Sequence, residues 1–147
     1  MAEQAETIDE LNEVIAILRG GASFYREAAE RVKNAQLASL FRENADKREA
    51  VADDLASEVT DRGGEAREGG DWGAKLRSLY SRALTVLSDP DETFVANLEE
   101  MEDRTLAEMR DAICEIEEGD VARARLEGHL SVIEKSHKQM AVLNSGA

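Results

Sequence analysis

The residues of this 147-residue chain best suited to chemistry are Glu134 and His137. Two residues three positions apart point from the same face of a helix, one turn from each other. In helical bundles that hold two metal ions, such a Glu-x-x-His pair supplies a bridging carboxylate and an imidazole. A complete centre needs two of these pairs and two further Glu residues, drawn from four helices. The question is therefore whether the other three helices supply the remaining metal ligands.

The composition limits the kinds of partner. A net charge of −14 argues against binding to nucleic acid or to an anionic membrane. No apolar run approaches the roughly 20 residues that cross a bilayer. Cys114 is the only cysteine, which excludes an intramolecular disulfide, and the N-terminal residues are polar and acidic. We therefore expect one cytoplasmic domain spanning residues 1–147.

The spacing of apolar residues predicts four long helices. Apolar positions recur in alternating steps of three and four, which is the seam of a helix in an antiparallel bundle. Thr7 and Glu10 fit a capping box at the start of the first helix. The predicted helices span about 7–33, 35–61, 91–117 and 121–143.

The segment between the second and third long helices has a different composition. A glycine-rich linker follows Arg62, and an amphipathic pattern predicts a shorter helix over about 72–87. We interpret residues 62–90 as a crossover connection, with Trp72 anchoring it against the bundle. Since the other two connections are tight reversals, the fold class predicted is all-α: an antiparallel four-helix bundle with a crossover that contains a shorter helix.

The two hairpins carry a weak internal repeat. Tyr-Arg-Glu-Ala at 25–28 aligns with Met-Arg-Asp-Ala at 109–112. Continued through the second helix of each hairpin, the alignment places Arg48 opposite Glu134 and Val51 opposite His137. A charged Arg48 in the middle of an apolar seam is the least ordinary feature of the pattern.

The packing residues also carry a family resemblance. Tyr25, Ala28-Ala29, Leu40-Phe41 and Ala45 resemble the first hairpin of rubrerythrin-type proteins. The span from about Ile8 to Leu143 resembles an uncharacterised bacterial family of ferritin-like four-helix-bundle proteins, a domain of unknown function. Its recognisable stretches here are Leu11-Asn12, Phe-Tyr-Arg-Glu-Ala-Ala-Glu at 24–30, Leu40-Phe41 and the glycine-rich crossover. The resemblance implies the fold and a stress-associated role, but no reaction.

The resemblance also assigns the ligand positions. In ferritin-like enzymes a ligand Glu lies seven residues before the Tyr-type core position, which gives Glu102 in the second half and Leu18 in the first. The second half thus keeps Glu102, Glu134 and His137. The first half has Leu18, Arg48 and Val51 where ligands are required.

The main hypothesis is a non-catalytic bundle without a cofactor, in which Arg48 occupies the metal position and pairs with Glu102, Glu134 or both. Arg48 reaching solvent is one open alternative, and an ordinary pair of Glu134 and His137 on a helix flank is another. A third is an iron- or manganese-binding protein of oxidase or storage type that uses Glu102, Glu134 and His137. We also expect the protein to form a homo-oligomer, specifically a dimer. A different protein bound to the face that carries the crossover connection is a further alternative.

Overall fold

The computed structural model describes residues 2–68, 72, 74, 75, 78 and 90–144. Its long elements are α1 (Ala2–Arg31), α2 (Ala35–Asp61), α3 (Pro90–Glu115) and α4 (Val121–Asn144). These helices confirm the predicted all-α four-helix architecture. The predicted helix at 72–87 lies outside the described residues except at Trp72, Ala74, Lys75 and Ser78, which are helical. No helix in the described ranges is long and apolar enough to cross a bilayer.

The first helix begins earlier than the sequence pattern indicated. It starts at Ala2, so Thr7 and Glu10 lie inside it and do not form the predicted capping box. The residues before Thr7 are Ala, Glu and Gln, which are strong helix formers, and acidic side chains stabilise the positive end of a helix. The helix therefore extends beyond its apolar seam.

The turn between α1 and α2 is fixed by side chains that satisfy free amides. The carboxamide oxygen of Asn34 accepts hydrogen bonds from the backbone N–H of Gln36 at 2.8 Å and of Leu37 at 3.1 Å. This is an N-cap, which satisfies donors at the start of α2. The carboxylate of Asp91 accepts from the backbone N–H of Lys33 and Asn34. The start of α3 is thereby tied to the α1–α2 turn.

Each helix packs against two neighbours. Helix α1 packs against α2 and α3, and α4 packs against the same two helices. Arg19 of α1 pairs with Asp53 of α2, whereas Arg26, which comes later in α1, pairs with Asp46, which comes earlier in α2. The two helices are therefore antiparallel. The end of α2 lies beside Asp120, which Arg62 contacts, and α3 starts at the other end of the bundle, beside the α1–α2 turn. The connection between α2 and α3 must therefore cross the length of the bundle, as predicted for a crossover.

The beginning of that connection lies along α1. The Asn12 carboxamide donates to the backbone carbonyl of Glu65 and accepts from the backbone N–H of Arg67, both at 2.9 Å. Further along, Trp72 packs against the apolar residues at the α1–α2 turn end of the bundle, in agreement with its interpretation as an anchor.

The apolar interior is divided into two clusters. The first fills the end of the bundle that contains the α3–α4 turn, and the second fills the opposite end. The division falls at the same level on all four helices: after Leu18 in α1, on either side of Arg48 in α2, at Glu102 to Thr105 in α3, and after Ile133 in α4. A polar layer therefore separates two apolar cores.

The turn between α3 and α4 is closed by Asp120. Gly119 adopts a φ of 88°, which a glycine reaches without strain, and Asp120 follows as the N-cap of α4 by accepting from the backbone N–H of Ala122 at 2.8 Å. The same carboxylate pairs with Arg62 at the end of α2. Partial burial alone would raise the pKa of Asp120, but the hydrogen bonds from Arg62 and Ala122 outweigh it and lower this pKa.

We predict that Asp120→Ala lowers the free energy of unfolding by about 1–2 kcal/mol, because α4 loses its cap. Asp120→Asn keeps a capping oxygen and loses only the charge, so it costs less than about 1 kcal/mol. Since the lowered pKa means that the stabilisation by the carboxylate disappears as pH falls through the folded pKa, wild type and Asp120→Asn should converge in acid. Urea denaturation at neutral and acidic pH measures this, and a gap that widens in acid would contradict it.

Candidate functional site: a buried ion pair between two apolar clusters

The layer between the two apolar clusters consists of Tyr25, Asn44, Arg48, Glu102 and Thr105, and we call it the central polar layer. Each of these side chains is at most 1% exposed. Three helices contribute to it, α1 through Tyr25, α2 through Asn44 and Arg48, and α3 through Glu102 and Thr105. Polar groups at this depth are stable only when they are paired.

The ion pair of Arg48 and Glu102 joins two helices within the layer. The Arg48 Nη2 atom lies 2.5 Å from the Glu102 Oε1 atom, and neither side chain reaches solvent. On its other side, Nη1 donates a 3.4 Å hydrogen bond to the hydroxyl of Thr105. The Thr105 hydroxyl in turn donates to the backbone carbonyl of Met101, one turn earlier in α3. The guanidinium therefore bridges α2 to α3 across the diagonal of the bundle.

Tyr25 joins the same carboxylate from α1. Its hydroxyl donates a short hydrogen bond to Glu102 Oε1 and accepts a 3.5 Å hydrogen bond from the Asn44 carboxamide. The Arg48 guanidinium carbon lies 5.4 Å from the centre of the Tyr25 ring, within the range of a cation–π contact. One carboxylate oxygen thus receives both a cation and a phenol, which concentrates the charge compensation on a single atom.

Gly21 in α1 lies beside the side chain of Arg48. A Cβ atom added at Gly21 would lie 3.4 Å from the Met101 side chain and 3.6 Å from the Arg48 Cδ atom. Any larger side chain would extend into the space that the arginine stem fills. Gly21 therefore lies at the level of the central polar layer, within van der Waals contact of the Met101 side chain and close to the Arg48 stem.

Burial and the facing charges act in opposite directions on the titration of these groups. Burial alone would lower the pKa of Arg48, but the Glu102 carboxylate and Tyr25 outweigh it and raise this pKa, so the guanidinium stays charged. For Tyr25, burial raises the pKa well above 10.0, and the nearby Glu102 carboxylate raises it further against an opposing effect of Arg48. The layer therefore holds one fixed cation and a phenol that keeps its proton.

Some buried polar atoms of the layer have no hydrogen-bond partner. They include the Glu102 Oε2, Arg48 Nε and Asn44 Oδ1 atoms, and also Arg48 Nη2, whose contact with Glu102 is an ion pair without hydrogen-bond alignment. A buried acceptor or donor without a partner costs about 1–3 kcal/mol. The layer is thus held by its charges and not by complete hydrogen bonding.

The other two predicted site residues lie outside this layer. Glu134 is 41% exposed and pairs with Arg110 on α3 at 3.1 Å, so of the two carboxylates predicted as partners of Arg48 only Glu102 contacts it. His137 is 26% exposed and its Nε2 atom lies 2.5 Å from Asp103 on α3. Both are flank pairs between α3 and α4, because each lies at the edge of the α4 seam and finds a charged neighbour there.

The structure consequently separates the three residues of the alternative metal set. Glu102 faces Arg48, Glu134 faces Arg110, and His137 faces Asp103. Within the described ranges no group of three or more His, Cys, Asp or Glu side chains is arranged to hold a metal ion. Leu18 and Val51, which occupy the corresponding positions of the first hairpin, are buried in the first apolar cluster.

Sequence reasoning found Arg48 and Glu102 but missed three members of the layer. Tyr25, Asn44 and Thr105 each occupy a seam position, where the pattern treats any residue of moderate size as core. The available signal was that two polar residues, Asn44 and Thr105, fall in those seams at the same level as Arg48.

We predict that Tyr25 resists ionisation in the folded protein. Because its folded pKa is raised above the unfolded value of about 10, its contribution to stability is present below that pH and is lost as pH rises further. In an alkaline titration followed by tyrosinate absorbance, one of the two tyrosines should ionise only when the protein unfolds. Tyr25→Phe should remove that late component; its persistence in the variant would contradict the assignment.

Comparison with known proteins agrees with this architecture. The fold matches a solved mutant of Mycobacterium smegmatis Dps1 with a TM-score of 0.83 at 15% identity, covering 97% of each chain. It also matches Dps92 from Deinococcus radiodurans with a TM-score of 0.77 at 16% identity, covering 97% of this chain and 87% of that one. At these identities the likeness shows a ferritin-like fold alone, and the resemblance to rubrerythrin stays an expectation. No curated protein matches. A family model described as "Domain of unknown function (DUF2383)" matches residues 6–115, and the chain belongs to that family.

Proposed function

We propose that this protein is a non-catalytic ferritin-like bundle with a degenerate di-metal site, in which the guanidinium of Arg48 takes the place of metal. The observation that carries the proposal is the 2.5 Å contact of Arg48 with Glu102 at the centre of the bundle. Ferritin-like bundles build their metal centres from inward-facing carboxylates and imidazoles at this depth. Here the inward-facing carboxylate already has a cation.

Charge compensation supports the proposal. A buried carboxylate without a partner carries a desolvation cost of several kcal/mol, which a metal ion or a fixed cation can offset. Arg48 supplies that cation from within the chain, and its raised pKa keeps it charged. A divalent ion beside Glu102 would have to displace the guanidinium or bear its repulsion.

The remaining donors support the same conclusion. Glu134 and His137 have partners on α3 at the flank of the bundle, and neither contacts Glu102. Iron or manganese binding by Glu102, Glu134 and His137 would require all three to leave their present partners and Arg48 to turn away. We therefore place the iron- or manganese-binding alternative second.

The role that fits such a bundle is binding or structural, and we retain the stress-associated role that the resemblance implied as part of the proposal. We also retain the homo-oligomer expected from the sequence.

We predict that Arg48→Leu lowers the free energy of unfolding by about 3 kcal/mol, because it leaves the Glu102 carboxylate buried without a cation. Adding Glu102→Gln to this variant should recover part of the loss, since the stranded charge is then removed. Urea denaturation measures both effects.

The matched control is Lys47→Leu. Lys47 is next to Arg48 on α2 and pairs with Glu43 at the surface, where both side chains are exposed. A surface ion pair contributes about 1 kcal/mol or less, so this variant should resemble wild type. An unchanged unfolding midpoint in Arg48→Leu would refute the buried pairing.

We predict that protein expressed with added iron or manganese carries less than one metal ion per chain after purification, as measured by elemental analysis. The two histidines provide a matched pair of variants: His137 belongs to the alternative metal set, whereas His129 pairs with Asp54 on α2 at 2.7 Å. Stoichiometric metal that is lost in His137→Ala and kept in His129→Ala would overturn the proposal in favour of the metal-binding alternative.

A further inference from the structure

The edge along which α2 meets α4 carries a row of charged side chains with alternating signs. Arg62, the C-cap of α2, pairs with Asp120, the N-cap of α4. The Arg62 Nε atom also lies 3.3 Å from one carboxylate oxygen of Glu58, and the other oxygen of Glu58 lies 3.6 Å from the Nε atom of Arg125 on α4. The side chains of Glu58 and Arg62 are only 11% and 12% exposed, so salt screens these charges less than it screens surface charges.

The row continues toward the middle of α4. The Arg125 Nη1 atom lies 3.4 Å from one carboxylate oxygen of Asp54 on α2, and the other oxygen of Asp54 lies 2.7 Å from the Nε2 atom of His129. Asp54, Glu58 and Arg62 follow one another in steps of four residues, so they lie on one face of α2. We call the whole set the α2–α4 charge row: Asp120, Arg62, Glu58, Arg125, Asp54 and His129.

The charge row has an excess of acid when its histidine is neutral. It contains three carboxylates and two guanidinium groups, so a third cation is needed to balance it. Histidine is the side chain that ordinarily changes its charge between pH 5 and 8. The hydrogen bond with Asp120 is the largest effect that raises the pKa of Arg62, so this end of the row keeps its cation over that range. His129 is therefore the residue that can change the row from unbalanced to balanced.

The charges around His129 act on it in opposite directions. The Asp54 carboxylate, 2.7 Å away, attracts a protonated imidazole, whereas Arg125, one turn earlier on α4, repels it. Arg125 is itself compensated by Glu58, so the contact with Asp54 outweighs that repulsion. On the side of α4 that faces α3, ion pairs lie further along the helix: Arg110 with Glu134, and Asp103 with His137.

We propose that His129 is a pH-sensitive switch that holds the first half of α4 against α2 when the imidazole is protonated and loosens it when the imidazole is neutral. The protonated ring forms an ion pair with Asp54, whereas the neutral ring can form only a hydrogen bond and leaves the charge row unbalanced. Ala122 and Leu126 of this half of α4 belong to the first apolar cluster, so loosening it exposes part of the core. The switch is separate from the proposed function, because no member of the charge row lies in the central polar layer.

The first experiment is a double-mutant cycle of His129→Gln and Asp54→Asn in the full chain, measured by urea denaturation at about pH 5.5 and about pH 8.5, on either side of the range in which histidine titrates. The coupling between the two substitutions should change the unfolding equilibrium constant about fivefold at the lower pH and less than about twofold at the higher pH. A coupling that is equal at both pH values, or larger at the higher one, would overturn the proposal.

The matched control is the cycle of Arg125→Gln with the same Asp54→Asn substitution. Arg125 contacts the same carboxylate as His129 and keeps its charge at both pH values, so its coupling to Asp54 should not fall as pH rises. An equal fall in both cycles would assign the pH dependence to the carboxylate and not to His129, which would also overturn the proposal.

Amide hydrogen exchange of the full chain tests whether the loosening is local to α4. After correction for the intrinsic effect of pH on exchange, the protection of the α4 amides up to His129 should fall about fivefold between about pH 5.5 and about pH 8.5 in wild type. The amides of α1 provide the internal reference and should change less. In His129→Gln the α4 amides should lose this extra change. A wild-type change in α4 that equals the change in α1, or that persists in His129→Gln, would overturn the proposal.

Discussion

The structure depends on the compensation of one buried carboxylate by one buried guanidinium. An uncompensated charge at the position of Glu102 would cost several kcal/mol, which is a large part of the roughly 5–15 kcal/mol by which a domain of this kind is stable. The 2.5 Å contact with Arg48 offsets part of that cost, and the phenol of Tyr25 adds a hydrogen bond to the same oxygen. Because the pair is inaccessible to water, screening by salt does not weaken it as it weakens surface pairs.

Other features of the bundle follow from the need to accommodate that pair. The apolar interior is split into two clusters because the central polar layer passes between them. Gly21 occupies the adjacent turn of α1, where a larger side chain would meet Arg48 and Met101. Several buried atoms of the layer have no hydrogen-bond partner among the described residues, whereas its one buried cation and its one buried carboxylate are paired.

Most of the fold could be predicted from the sequence, because the period of apolar residues and the glycine-rich stretch report directly on helices and connections. The start of α1 could not be predicted from this period, since residues 2–6 are helical by propensity and carry no apolar seam. The pairing of Arg48 with Glu102 was within reach, because a charge in a seam must find an opposite charge. The choice of Glu102 over Glu134 as the partner of Arg48 could not be predicted, because it depends on how α4 is rotated about its own axis. Spacing along the chain does not specify that rotation, which leaves Glu134 beside Arg110.

In our proposal, this ferritin-like fold has exchanged a metal centre for a protein cation while keeping its core packed. The exchange is tested most directly by anomalous diffraction from crystals grown with iron(II) or manganese(II). We expect no anomalous peak in the central polar layer and a guanidinium of Arg48 that remains on Glu102. A peak bound by Glu102, Glu134 and His137, with Arg48 turned away, would contradict it.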